Sequence, residues 1–277
     1  MSMRALINGV ETDCVSVADR GLQYGDGLFE TIAVRDGGLC LWRGHFDRLF
    51  DGARRFGIPC PSQGMLLDEC QRSIDSCSSG VLKIVLTRGS GGRGYRPPAD
   101  PHPTRIVSLH PWPDYPLDWA DRGVAVILCR TLLGENALLA GHKHLNRLEQ
   151  VLARSEWRDP QIAEGIMQDG RGRVIGGTMS NLFLVSNGRL YTPRLDTCGV
   201  SGTARALVLR LAGEHDLEVT QADVAQADLV AADGLFLTNA LIGVWPVRRL
   251  AAKPMCLNHL PGKLIAAVRR AALTPED

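Results

Sequence analysis

The chain is short of lysine and of aromatic side chains. Only Lys83, Lys143, Lys253 and Lys263 supply lysine among 31 cationic residues, and aromatic residues make up 5% of the 277 positions. Any chemistry that needs an amine therefore has few candidates. Excess charge is also missing. The 31 Lys and Arg face 30 Asp and Glu, a net charge of +1, which excludes nucleic-acid binding driven by bulk phosphate neutralisation. A local basic pocket for a small anion remains open. No apolar run reaches the roughly 18 residues of a membrane-spanning helix. The segment Met1–Asp13 carries Arg4, Glu11 and Asp13 and shows no apolar signal core. None of the eight cysteines forms a Cys-x-x-Cys pair, so no zinc or other metal site is expected. They read as reduced thiols of a cytoplasmic protein.

What is present is an ordinary globular composition, 45% hydrophobic and 22% charged. The length fits one large domain or two of common size. Strand-like runs fall at Arg4–Ile7, Gly27–Val34, Leu39–Trp42, Val81–Arg88 and Arg105–Leu109, with helical spacing from Phe46 to Phe56 and from Gln63 to Cys77. Pro111, Pro113 and Pro116 mark a linker over 111–122, between an N-terminal lobe, 1–110, and a C-terminal lobe, 123–277. Beyond it the pattern predicts strands at Gly123–Arg130, Ile162–Gln168, Arg173–Ile175, Leu182–Val185 and Gly234–Thr238. It predicts helices at His144–Trp157, Thr203–His215 and Gly262–Ala272. Strands alternate with helices in both halves, so the class is α/β or α+β in two lobes.

Three places carry chemistry. Lys143 lies between His142 and His144 with apolar residues beyond. Such surroundings lower an amine pKa and favour Schiff-base chemistry; the other reading is a solvated surface cation. Gly199–Arg205 opens a helix, whose first amides suit a phosphate, or simply an N-cap by Ser201 or Thr203. Arg88–Tyr95 is a glycine-rich loop with Arg88 and Arg93, suited to forking onto a carboxylate, or else a flexible surface loop. Pro97 and Pro98 follow it, so it is no Walker or dinucleotide loop.

Several ordered blocks resemble one family. They are Asp19-Arg-Gly-Leu-Gln-Tyr-Gly-Asp-Gly-Leu-Phe-Glu-Thr31, Leu82–Tyr95, Leu139–Val151, Ser180-Asn-Leu-Phe183, Tyr191–Gly202 and Leu237–Val247. Together they span nearly the whole chain and are similar to the fold-type IV pyridoxal-phosphate enzymes, which include branched-chain and D-amino-acid aminotransferases. The glycine-arginine loop and the Lys143-His-Leu-Asn-Arg147 block are most similar to the aminodeoxychorismate lyase branch.

The resemblance implies two lobes with the cofactor, pyridoxal 5'-phosphate, in the cleft between them. It implies that Lys143 holds the cofactor covalently and moves protons, with Thr31 near the reacting centre. Arg48, Thr203, Ala204, Asn239 and Ala240 match phosphate-binding positions, and Arg93 and Tyr95 match the loop that reaches substrate carboxylates. The implied reaction turns 4-amino-4-deoxychorismate into 4-aminobenzoate and pyruvate, in a cytoplasmic homodimer. A D- or branched-chain aminotransferase of the same fold is the alternative. One position departs: the family's glutamate at the pyridine nitrogen is matched by Gly176. Glycine offers no carboxylate, which admits a third reading, a cofactor-binding protein impaired in catalysis. A glutamate restored at 176 is expected to raise turnover unless that glycine holds a positive φ.

Overall fold

The structure, a computed structural model, describes residues 4–276; Met1, Ser2 and Met3, the head of the segment read for a targeting signal, and Asp277 lie outside the described residues. The chain forms two compact units. The first comprises Met1–Pro113, His142–Asn146 and Leu273–Asp277, and the second Asp114–Gly141 and Arg147–Ala272. Compared with a single division at 111–122, the short strip around Lys143 belongs with the first unit.

The first unit is built from β1 (Arg4–Ile7), β2 (Val10–Glu11), α1 (Arg20–Tyr24), β3 (Gly27–Arg35) and β4 (Gly38–Leu39). There follow α2 (Trp42–Phe56), α3 (Gln63–Ile74), β5 (Ser79–Thr87) and β6 (Thr104–His110). Its sheet has the order β2-β1-β6-β5-β3-β4 and is antiparallel throughout. Successive strand residues face opposite sides. Leu28, Ile32 and Val34 of β3 and Leu82, Ile84 and Leu86 of β5 thus form one buried face, packed on Leu49, Ala53, Leu66 and Cys70 of α2 and α3. The opposite face carries Phe29, Thr31 and Lys83. The Asp36-Gly37 hairpin has positive φ at both residues, 48° and 78°, as its two-residue turn requires. Leu39–Trp42 is not a strand to its end. Leu41 turns into the left-handed region (φ 52°), and Trp42 starts α2, where it joins His45, Leu49 and Ala53 on the buried face.

The second unit contains α4 (Trp119–Arg122), β7 (Val124–Leu133), α5 (Leu148–Arg154), β8 (Ile162–Asp169), β9 (Arg173–Gly177), β10 (Asn181–Ser186) and β11 (Arg189–Pro193). It continues with α6 (Thr203–Glu214), β12 (Val219–Ala222), β13 (Val224–Ala225), α7 (Gln226–Ala231), β14 (Gly234–Asn239), β15 (Gly243–Leu250), β16 (Lys253–Pro254) and α8 (Gly262–Ala272). Its sheet runs β12-β11-β10-β14-β15-β7-β8-β9-β13, with β16 beside β15. Phe183 and Phe236 stack at 4.9 Å between β10 and β14, both fully buried. Among the described residues no helix is long and apolar enough to cross a membrane.

The helix expected over His144–Trp157 shrinks to Leu148–Arg154. The residues before it form backbone hydrogen bonds to β3 instead: Phe29 N–H donates to the Lys143 carbonyl (2.9 Å), and Leu145 N–H to that of Gly27 (3.0 Å). Pairing with a sheet edge overrides helical periodicity here. The apolar positions that suggested a core-facing helix, Leu148, Val151 and Leu152, are 68%, 61% and 51% exposed.

Candidate active site

Because His142–Asn146 lies extended along β3, Lys143 is not carried by a helix. Its ammonium stands 4.3 Å from the centre of the Phe29 ring, a cation–π contact. Lys83 approaches the same ring at 5.6 Å, and Thr31 is paired with Lys83 across β3 and β5. One sheet face therefore gathers two amines and a hydroxyl around Phe29. Lys83 lies in an otherwise apolar strand, where alternation turns it outward and leaves it exposed. His142 packs edge-on against Phe56 at 5.3 Å, where burial, then the charge of Arg55, lowers its pKa.

Arg48 comes from α2, and the charge of Lys143 is felt there by His45. Glu30, between Phe29 and Thr31, points toward α2 and is 1% exposed. His45 Nδ1 is 2.6 Å from Glu30 Oε2, and Arg48 Nε donates to Oε1 at 2.8 Å while Nη2 bonds Oε2. Spacing of three along α2 places His45 and Arg48 side by side. Burial alone would raise the Glu30 pKa. The charges of Arg48 and His45 and their hydrogen bonds outweigh it and hold the carboxyl down at about 2. Burial lowers the His45 pKa. Arg48, the expected phosphate ligand, is thus anchored by a buried carboxylate. Phe-Glu-Thr in β3 and His-Phe-Asp-Arg in α2 were the available signals, but their meeting is a tertiary fact.

The glycine loop is not a loose surface segment. Arg88 is buried and braces the scaffold: Nε and Nη2 donate to Asp26, and Nη1 and Nη2 to the carbonyls of Gly57 and Phe56 at the end of α2. Arg93 and Tyr95 are exposed, Tyr95 at 85%.

In the second unit, α6 begins at Gly202, an N-cap without a side chain to bond the amides of the first turn. Thr203 and Ala204 follow it. Close packing explains the cap residue: a Cβ on Gly202 would stand 2.1 Å from Asn181 Oδ1. Asn181 Nδ2 donates to the Val200 carbonyl. Asn239 Oδ1 accepts from the amides of Leu241 and Ile242, and its Nδ2 donates to the Met179 carbonyl. The turn between β9 and β10 is thereby tied to both expected phosphate segments, the start of α6 and the loop of Asn239 and Ala240. Gly141, two residues before Lys143, exchanges backbone hydrogen bonds with Gly199 and Ser201.

Gly176 is buried in β9 opposite Met167 and does not have a positive φ. Space is what limits it: a Cβ there would stand 2.9 Å from the Ser180 carbonyl oxygen. Beside it, fully buried Glu164 accepts hydrogen bonds from the amides of Gly165, Thr178 and Met179 and from the hydroxyls of Thr178 and Ser180. Burial outweighs these bonds and raises its pKa. With both oxygens engaged, Glu164 shapes the turn.

Residues 27–250 match the model of the Amino-transferase class IV family. The chain belongs to this family. The aminodeoxychorismate lyase of Vibrio harveyi is 37% identical over 258 residues, 93% of this chain and 95% of that protein. A putative branched-chain-amino-acid aminotransferase of Methanocaldococcus jannaschii is 33% identical, covering 88% of this chain and 87% of its own. Among solved structures, the 4-amino-4-deoxychorismate lyase of Pseudomonas aeruginosa superposes with a TM-score of 0.93 at 45% identity, over 98% of this chain and 100% of that one. The class IV fold accounts for the mixed α/β architecture and its two large sheets.

Proposed function

We propose that this chain is a pyridoxal-phosphate-dependent lyase that converts 4-amino-4-deoxychorismate to 4-aminobenzoate and pyruvate. The observation that carries the reading is the sheet face that gathers Lys143, Thr31 and Lys83 around Phe29, in a chain so similar to two such lyases over nearly its full length.

The residues present fit the cofactor. Lys143 supplies the amine for its aldehyde. The first turn of α6 has no side-chain cap, and its amides at Thr203 and Ala204 suit a phosphate. Asn239 and Ala240 lie in a backbone turn shaped by the Asn239 side chain, and Arg48 adds a guanidinium already oriented by Glu30. Gly176 contributes no carboxylate toward the ring nitrogen. When bound, the cofactor would supply a sink for the electron pair left on carbon after proton removal.

The remaining work falls to the chain. Lys143, as an amine, takes the proton from the amine-bearing ring carbon. Thr31, on the same face, passes a proton toward the departing enolpyruvyl oxygen. Arg93 meets a substrate carboxylate through charge-assisted bonds, Tyr95 flanks it, and Lys83 adds a second positive charge. Substrate atoms are conserved in the two products without water or acceptor, and aromatisation of the ring drives the elimination.

The aminotransferase reading keeps one supporting observation, the 33% identity to the archaeal protein. Incubation of purified protein with 4-amino-4-deoxychorismate and no keto acid decides between them. Release of 4-aminobenzoate and pyruvate in equal amounts is expected. Amino-group exchange between amino and keto acids without that release would overturn the lyase reading, and cofactor binding without either turnover would favour an impaired protein. The same reading makes the protein a cytoplasmic homodimer. It is supported by the exposed apolar row of Leu148, Val151 and Leu152 on α5 and by eight free cysteines.

A further inference from the structure

We propose that Arg20 is a positioning residue for the carboxylate-reading loop, acting through the backbone of Gly94 and Tyr95. The inference rests on the reading of Arg93 given above.

The loop contains Gly89, Gly91, Gly92 and Gly94. Gly92 has no neighbour within 4 Å of where a Cβ would be, and Gly94 has φ +100°. Such a segment has many conformations, and fixing it costs backbone entropy. An arginine carried on it reads a carboxylate well only if the backbone is held beforehand.

The hold comes from α1. The Arg20 side chain is 4% exposed, and its three nitrogens have three different tasks. Nε donates to Asp26 Oδ2 at 2.8 Å, Nη1 to the Gly94 carbonyl at 3.0 Å, and Nη2 to the Tyr95 carbonyl at 3.0 Å. The guanidinium also lies 4.9 Å from the centre of the Tyr24 ring. Tyr24 completes the grip, because its phenol oxygen accepts the Gly94 N–H at 3.2 Å and its ring meets that of Tyr95 edge-on at 5.4 Å. On the near side of Arg93, Arg20 N–H donates to the Gly89 carbonyl and Gly91 N–H to that of Ala18. Arg93 therefore projects from a backbone pinned on both sides, while its own side chain stays exposed.

Asp26 separates two functions of arginine. It receives Arg88, which turns to the α2 carbonyls, and Arg20, which turns to the loop. A planar fork can hold one carboxylate and two successive carbonyls at once. A lysine ammonium at the end of a flexible stem cannot reproduce that geometry. Arg20→Lys keeps the charge and frees the loop.

The test compares wild type, Arg20→Lys, Arg93→Ala and the double variant in the cofactor-loaded protein. It reads KM and kcat for 4-amino-4-deoxychorismate, cofactor affinity and, in the two proteins that keep Arg93, the rate of tryptic cleavage after it. Arg20→Lys is expected to raise KM about tenfold with kcat within about threefold and cofactor affinity unchanged. Cleavage after Arg93 should quicken about tenfold, because protease access follows local opening. The double variant should be no worse than Arg93→Ala alone, since a loosened loop has already lost what Arg93 contributes. If Arg20→Lys fails to fold, Tyr24→Phe removes only the phenol oxygen from Gly94 and should show the same pattern more weakly. An unchanged KM and cleavage rate, or losses that multiply in the double variant, would overturn the proposal. A wild type without lyase activity would overturn the functional reading instead, and the cleavage rates would then decide alone whether Arg20 pins the loop.

Discussion

Lys143 and Phe29 are joined twice. The Phe29 N–H donates to the Lys143 carbonyl at 2.9 Å, and the Lys143 ammonium lies over the Phe29 ring at 4.3 Å. A backbone bond and a cation–π contact between the same two residues fix both the position of the lysine and the direction of its side chain.

On the proposed function, Lys143 is the attachment point for the cofactor. Borohydride reduction of cofactor-loaded protein followed by peptide mass mapping should place the pyridoxyl label on Lys143. A label on Lys83, the other amine at the Phe29 ring, would overturn the assignment. Phe29→Leu removes the ring and should weaken cofactor attachment about two- to thirtyfold, in line with roughly 0.5–2 kcal/mol for the contact.

On the proposed function, removing the Arg93 side chain takes away a charge-assisted fork but nothing that touches the cofactor phosphate. Arg93→Ala should lower kcat/KM about 30- to 1,000-fold, roughly 2–4 kcal/mol. A parallel titration should show cofactor affinity unchanged. A loss below a few-fold would mean that Arg93 does not meet the carboxylate.

Gly176→Glu is expected to lower stability and leave turnover flat or reduced, contrary to what the missing carboxylate alone suggests. The Ser180 carbonyl stands 2.9 Å from the added Cβ, and backbone yields less readily than a side chain. Forcing the turn apart should cost roughly 1–3 kcal/mol. Gly176→Ala carries the same Cβ without the carboxylate. Equal losses of melting temperature in both variants would locate the problem in the backbone contact. A stably folded Gly176→Glu protein with faster turnover would contradict this account.

Glu30 gives the fold an acid-sensitive joint. Its folded pKa is about 2 against an ordinary 4.5, so its contribution is complete above 4.5 and is lost as pH falls toward 2. His45, with its pKa lowered, works in the same direction below 6.5. Glu164 works in the opposite direction, because its raised pKa makes its contribution greatest below 4.5 and smaller as pH rises. Glu30→Gln should flatten the acid limb of a stability–pH curve and lower stability near neutrality by roughly 3 kcal/mol, the cost of leaving Arg48 without its carboxylate. Glu164→Gln should leave the acid limb in place. Denaturant titrations across pH 3–8 would distinguish the two variants.

Local order was written plainly in the sequence. The strands around Ile32 and Ile84 alternate, α2 repeats its apolar face from Leu49 to Ala53, and Gly57 and Gly202 punctuate helices where such residues belong. These features depend on neighbours within a few positions, so a one-dimensional pattern carries them. Lys143 was also conspicuous, through the scarcity of lysine and the block in which it lies. Contacts made across long separations were not legible. The extended path of His142–Leu145 depends on a free edge of β3 more than 100 positions away, and the helical spacing that follows gives no hint of it. Glu30 with Arg48, and Arg20 with Gly94 and Tyr95, look in sequence like ordinary surface charges, because nothing local says that they will be buried. The steric limit at Gly176 was hidden for the same reason. Sequence shows that a carboxylate is missing there, but only the folded turn shows that the Ser180 carbonyl already occupies the space its Cβ would need. Short-range hydrogen bonding and periodicity were determined by the chain itself. The partners of its charges and the room beside its glycines were decided when distant segments packed together, because burial and steric contact are properties of the assembled interior.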